Sequence, residues 1–210
     1  MYTRGVNIIF DFDGTIADSF PFALQTIAKA ARKPLPNEAD ELALRGITML
    51  AMARRYGVGW LRLPGLYLGS RVDVVGHLQH VKLYAGMAEL IKALHANGHQ
   101  LYILSSNSPQ TIRACLKQAG VEHCFTDIYG RVSIFGKAPM LKRLMRTHKL
   151  SKGKTIYIGD EARDLEATNA IGLRAIAVTW GFASRNHLEA HKPWAMVNSV
   201  ADLAATISKV

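Results

Sequence analysis

Asp11 and Asp13 stand two residues apart, directly after the largely apolar run Val6–Phe10 and just before Gly14 and Thr15. On an extended chain, residues at i and i+2 project to the same side, so both carboxylates can face one site. Gly14 lets the backbone turn sharply beyond them. A second acidic group follows the apolar run Thr155–Ile158 in Gly159-Asp160-Glu161-Ala162-Arg163-Asp164. Asp160 and Asp164, four apart, fall on one face as the chain enters a helix. Ser105-Ser106-Asn107-Ser108-Pro109 follows the run Leu101–Leu104. A hydroxyl at a strand end, with a helix N-terminus behind it, offers backbone N–H groups and a helix dipole to an anion. Lys137 follows Gly136 and the apolar stretch Val132–Phe135.

Each feature has a plainer reading taken singly: a surface turn, an acidic helix start, a helix cap, a solvated lysine. Together they specify chemistry. Four strand-end carboxylates, Asp11, Asp13, Asp160 and Asp164, require cationic company. Mg²⁺ takes its oxygens from a few carboxylates, from water and from substrate phosphate. Lys137 supplies a further positive charge, and Ser105, Ser106 and Asn107 supply donors for phosphate oxygens. The combination points to metal-assisted phosphoryl transfer with an aspartate as nucleophile.

Parallel strands must deliver these residues. Short apolar runs closed by polar turns, at Val6–Phe10, Leu101–Leu104, Thr155–Ile158 and Ala175–Val178, read as strands buried on both faces. Val132–Phe135 and Met196–Val197 are shorter candidates. Helical patterns lie between them at Met87–Asn97, from Ser108-Pro109 to about Gly120, at Ala138–His148 and at Ala162–Ile171. Alternating strands and helices predict an α/β fold with a parallel sheet. Ile16–Tyr84 breaks the alternation. It contains no convincing strand, and Phe22–Lys33, Asn37–Arg45, Thr48–Tyr56 and Ser70–Lys82 read as helices.

The chain has 210 residues, 49% of them hydrophobic and 20% charged, enough to bury a full core without staples. Its formal net charge of +10 suits an acidic ligand without selecting one. Cys115 and Cys124 form no disulfide framework, which points to a reduced, cytoplasmic protein. No apolar run is long enough to span a bilayer. The eight histidines show no paired zinc-ligand spacing. Arg131–Lys154 carries eight basic residues and no acid, but one aromatic, Phe135; it reads as a solvated face rather than a nucleic-acid surface. Trp180 and Trp194 read as packing residues.

The motifs resemble those of the haloacid dehalogenase superfamily, in its phosphatase-like branch. Asp11–Thr15 (DFDGT) matches the family's first motif, Ser105 its second, Lys137 its third and Gly159–Asp164 (GDEARD) its fourth, in family order along the whole chain. The insertion after the first strand resembles the helical cap of phosphoglycolate phosphatases and β-phosphoglucomutases. Tyr84-Ala85-Gly86 resembles the return to the core, with Ala85 where the family usually has proline. The resemblance implies a Rossmann-like core of residues 1–15 and 85–210, with residues 16–84 as cap. It implies Asp11 as nucleophile and Asp13 as general acid and then base. The Mg²⁺ ligands would be drawn from Asp11, Asp13 through its carbonyl, and Asp160, with Asp164 as a further member of the metal site that orients water or Lys137. Thr15, Ser105, Ser106, Asn107 and Lys137 would bind phosphate, and Arg45 in the cap would read a second anionic group on the substrate.

Hydrolytic dehalogenases generally lack an acid two residues beyond the nucleophile, so Asp13 favours a phosphatase. The expected substrate is a small phosphorylated metabolite, with neither nucleic acid nor membrane as partner and a monomer or homodimer as the working form. A phosphosugar mutase and a non-catalytic phosphate-binding module are the alternatives.

Overall fold

The computed structural model describes residues 5–37, 44, 47, 49–58, 81–133 and 136–210. Six parallel strands form the central sheet: β1 (Asn7–Phe10), β4 (Gln100–Leu104), β5 (Phe125–Tyr129), β6 (Thr155–Gly159), β7 (Arg174–Val178) and β8 (Ala195–Val197). Their order is β5-β4-β1-β6-β7-β8. β1 lies at the centre, with Phe10 in register with Ile103 of β4 and Ile158 of β6.

Burial on both faces explains the continuous apolar runs. Ile8 and Phe10 pack on one face with helices α3 (Met87–Ala96), α4 (Pro109–Gln118) and α8 (Val200–Ile207). Ile9, Tyr102 and Tyr157 pack on the other with α5 (Lys137–Thr147), α6 (Ala162–Asn169) and α7 (Arg185–Ala190). After β1 the sheet grows outward through β4 and β5, then restarts on the other side of β1 with β6. Strand order therefore reverses between β1 and β6, and in open α/β sheets ligands bind beyond the carboxyl ends at such a point. Asp11 and Asp160 lie just past those two strand ends.

One strand is misplaced by the sequence reading. Val132 and Ser133 of the expected strand Val132–Phe135 lie in no strand, and the strand at the β5 edge is Phe125–Tyr129. Its sequence, FTDIY, carries polar Thr126 and Asp127 because an edge strand need not be apolar on both faces. Val132 is buried, but its N–H donates to the Ser105 carbonyl, and the Arg131 N–H donates to the Asn107 carbonyl. That segment braces the Ser105 loop; residues 134 and 135 lie outside the described residues.

Between 16 and 84 the described residues hold α1 (Phe20–Ala31), α2 (Met49–Arg55) and two short strands, β2 (Ala17–Asp18) and β3 (Lys82–Leu83). The strands contradict the expectation of a strandless segment. Two residues are too few to leave a periodic pattern, and Lys82 belongs to β3 rather than to a helix. They pair antiparallel, Ala17 with Leu83 and Asp18 with Lys82, and so tie together the two ends of the segment assigned to the cap. Phe20, Leu24 and Ile27 of α1 pack with Met52 and Ala53 of α2 and with Phe182 beyond β7. Arg45, most of the expected helix Asn37–Arg45 and residues 70–80 of the expected helix Ser70–Lys82 lie outside the described residues.

Candidate active site

β1 runs directly into Asp11, whose N–H continues the sheet ladder to the Ile158 carbonyl at 2.8 Å. The residue is 1% exposed. Its Oδ1 accepts the Phe12 N–H at 2.7 Å, and its Oδ2 accepts from Lys137 Nζ at 2.7 Å. Lys137 is the first residue of α5 and is itself buried. Its ammonium also pairs with Asp164 Oδ1 and lies 5.5 Å from the centre of the Tyr157 ring. Burial opposes the Lys137 charge, but Asp11 and then Asp164 outweigh it, and its pKa is raised.

Asp164 is braced from several sides. The Tyr157 hydroxyl donates to Oδ1 at 3.2 Å, and the Glu161 N–H donates to Oδ2 at 3.1 Å in a capping box that opens α6. Asp160 accepts the Thr15 hydroxyl at 2.7 Å and the Phe182 N–H at 2.8 Å. Burial above all, then Glu161, Asp11 and Asp164, raises its pKa well above the usual range. Burial also raises Asp11, against the pull of Lys137.

Carboxylate oxygens of Asp11, Asp160 and Asp164 all lie within 4.8 Å of one another. Lys137 touches two of the three acids. With all three carboxylates ionised, one ammonium would leave two negative charges in excess, and burial opposes the ionisation of Asp11 and Asp160. Hard oxygen donors with that excess fit a divalent cation of the Mg²⁺ type. Asp13 stands apart from this group. Its oxygens accept from Asn107 Nδ2 at 3.1 and 3.3 Å. Desolvation, and next the charge of Asp11, push its pKa up to about 6.

The predicted phosphate binders divide. Ser105 is fully buried, and its Oγ accepts the Asn107 N–H at 3.1 Å, leaving its own hydrogen to donate. The loop's backbone donors are used internally to a greater degree than expected. The Ser105 N–H goes to the Tyr129 carbonyl and the Ser108 N–H to Asn107 Oδ1. Ser106, half-buried, lies between them in the same loop. Ser108 caps α4 as the sequence indicates, accepting from the Thr111 N–H. The Thr15 hydroxyl is buried and donates to Asp160, and so fixes that carboxylate.

Gly14, expected to turn the chain, also makes room for Asp160, and Gly181 and Trp180 join the site, a role the sequence alone does not assign them. Gly14, with φ +75°, leaves no room for a Cβ, which would lie 2.2 Å from Asp160 Oδ2. Gly181 does the same from the β7 side, 2.3 Å from Asp160 Cβ. The available signal for Gly181 was a glycine three residues beyond an apolar strand. Gly181→Ala is expected to lower stability by about 1–3 kcal/mol, the scale of overpacking. Gly153→Ala, where a Cβ meets nothing within 4 Å, should stay within about 0.5 kcal/mol. Chemical denaturation of both variants checks the contrast.

Trp180 does more than pack. Its Nε1 donates to the Thr15 carbonyl at 3.2 Å, and its own carbonyl accepts the Tyr84 hydroxyl at 3.2 Å. It thereby joins the first motif to the point where the chain returns from the insertion. Trp194 is 44% exposed, with the Arg174 guanidinium 5.3 Å from its ring. Cys115 and Cys124 are buried free thiols, and burial pushes Cys115 up to about 11. Among the described residues, no helix is long and apolar enough to cross a membrane.

The parallel sheet, with acids converging beyond β1 and β6, fixes the fold class and the site, and comparison with known proteins gives the family. The profile of the haloacid dehalogenase-like hydrolases matches residues 8–178. The chain belongs to that family. It is 32% identical to a phosphoglycolate phosphatase of Synechococcus elongatus over 210 residues, 97% of each chain. It is 29% identical to a 5′-nucleotidase of Pseudomonas aeruginosa, over 96% of this chain and 94% of that one. The solved structure of a predicted phosphatase from Clostridium acetobutylicum superposes with a TM-score of 0.80 at 21% identity, covering 99% of this chain and 100% of the other. At that identity the likeness concerns the fold.

Proposed function

We propose that the protein is a Mg²⁺-dependent phosphatase of small phosphomonoesters that works through an aspartyl-phosphate on Asp11. The observation that carries this reading is the different company of two acids two residues apart. Asp11 is buried, which raises its pKa, but it is held by an ammonium and a backbone N–H, which favour its ionised form. Asp13 meets the neutral amide of Asn107, contacts no cation among the described residues, and has a pKa near 6. Carboxyls whose environments differ in this way divide the roles of nucleophile and acid.

In the proposed reaction an Asp11 oxygen attacks phosphorus and forms the acyl phosphate as the ester oxygen leaves. Asp13 gives its proton to that leaving oxygen. The ionised Asp13 then takes a proton from water, which attacks the same phosphorus, releases phosphate and restores Asp11. Lys137 and the Ser105 hydroxyl hold phosphoryl oxygens. Asp11, Asp160 and the Asp13 carbonyl would hold Mg²⁺, with Asp164 behind them, and the ion supplies neutralising charge to the phosphoryl group. The names of the relatives support the phosphomonoester class. Because phosphoglycolate and a nucleotide differ in their organic parts, the reading stops at that class. Arg45 remains a candidate for contact with the organic part.

The first test is hydrolysis of an aryl phosphate. Activity should require Mg²⁺, vanish in excess chelator and return when Mg²⁺ is restored; full activity in chelator would contradict the reading. Mg²⁺ should also act without substrate. At 100-fold above its Kd a ligand adds about 2.7 kcal/mol, or about 5–10 °C in melting temperature for a chain of this size. Asp160→Ala should lose that shift. The sign follows from the raised pKa of Asp11 and Asp160. Their ionised forms hold stability back at neutral pH, and a bound cation relieves this, as protonation does when pH falls.

A further inference from the structure

Both polar ends of the Asn107 side chain are committed. Oδ1 accepts the Ser108 N–H at 2.8 Å, and Nδ2 donates to both oxygens of Asp13 at 3.1 and 3.3 Å. The backbone of the residue is fixed as well. Its N–H donates to Ser105 Oγ at 3.1 Å, and its carbonyl accepts the Arg131 N–H at 2.7 Å. Three anchors, two within the loop and one from Arg131 in the segment after β5, therefore aim a single amide at a carboxyl 94 residues earlier in the chain.

We infer that Asn107 is a positioning residue for Asp13: its amide holds the carboxyl toward the leaving group and away from the Asp11, Asp160 and Asp164 cluster. The inference rests on the proposed role of Asp13 as proton donor. A carboxyl beside three others is drawn toward any cation they share. Against that pull, a rigidly mounted donor keeps Asp13 at one orientation. The amide is neutral, so it does this without adding charge beside the phosphate. The side chain assigned from sequence to phosphate binding thus serves the proton donor instead.

The test exploits leaving groups. An alkoxide needs the proton from Asp13, whereas nitrophenolate leaves without it. The value of kcat/KM covers steps only through phosphoryl transfer to Asp11, so slow breakdown of the acyl phosphate does not disturb it. The two probes are p-nitrophenyl phosphate and the alkyl phosphomonoester that the wild type hydrolyses fastest among glycerol phosphate, phosphoglycolate and nucleoside monophosphates. Asn107→Asp keeps the oxygen that holds the turn and removes the donor; Asn107→Ala removes both. In each, kcat/KM for the alkyl ester should fall at least ~10-fold more than for the aryl ester, a part of the 10²–10⁴ that a proton donor contributes. A retained aryl rate reports an intact fold. In an Asp13→Asn background, adding Asn107→Asp should not widen the gap, because coupled residues are not additive. Equal falls for both esters would overturn the inference while leaving the phosphatase reading in place. A missing gap in Asp13→Asn itself would overturn the proton-donor role and the inference with it.

Discussion

Asp11→Asn is expected to remove turnover, with kcat falling about 10⁵-fold or more, the scale on which loss of a nucleophile acts. An amide cannot attack phosphorus to form a stable acyl phosphate. The fold should survive. The Asn oxygen can still accept the Phe12 N–H, and Asp164 still neutralises Lys137. Steady-state kinetics beside a thermal melt checks both halves. Near-normal turnover in a pure preparation would rule out Asp11 as nucleophile.

Lys137→Ala is the second large effect, and it acts on two quantities. The ammonium is the one cation touching both Asp11 and Asp164 among the described residues. Its loss should lower kcat/KM by about 10²-fold or more, near 3 kcal/mol of transition-state stabilisation. Removing one member of a buried ion pair typically costs about 3–5 kcal/mol of stability. That loss should be largest at neutral pH and shrink on acidification, when Asp11 can take a proton. Lys137→Arg should recover little, because a planar fork does not replace a compact ammonium held between two carboxylates. Lys142→Ala should change activity by a small factor only. Lys142 is exposed farther along α5 and lines a separate groove of about 860 Å³ with Arg146, Lys149 and Lys152. A large loss in Lys142→Ala with a normal Lys137→Ala would reverse the assignment.

Much of this site is legible in the chain because its parts are local to strand ends. Asp11, Ser105 and Asp160 each follow an apolar run, and four of the six sheet strands are such runs. β5 escaped because an edge strand alternates with polar residues, while Val132 is apolar for another reason, closing the Ser105 loop. β2 and β3 escaped because two residues carry no period. For Thr15 and Asn107, expected at the phosphate, the sequence holds no sign of the protein partners they have in the fold. Their hydroxyl and amide end on Asp160 and Asp13, contacts that exist only after the sheet has assembled. Tyr157 and Trp180 read as ordinary packing residues for the same reason. Tyr157 sits inside an apolar strand, and only the fold brings its hydroxyl to Asp164.

A covalent intermediate on Asp11 can be caught by acid quenching within the first turnover. The enzyme is mixed with Mg²⁺ and excess phosphomonoester, quenched on the millisecond scale and digested, and its peptides are weighed. The account predicts one added phosphoryl group on the peptide containing Asp11, rising before phosphate release and absent in Asp11→Asn. Turnover at full rate with no phosphorylated Asp11 at any quench time would contradict it, and would mean that water attacks phosphorus directly.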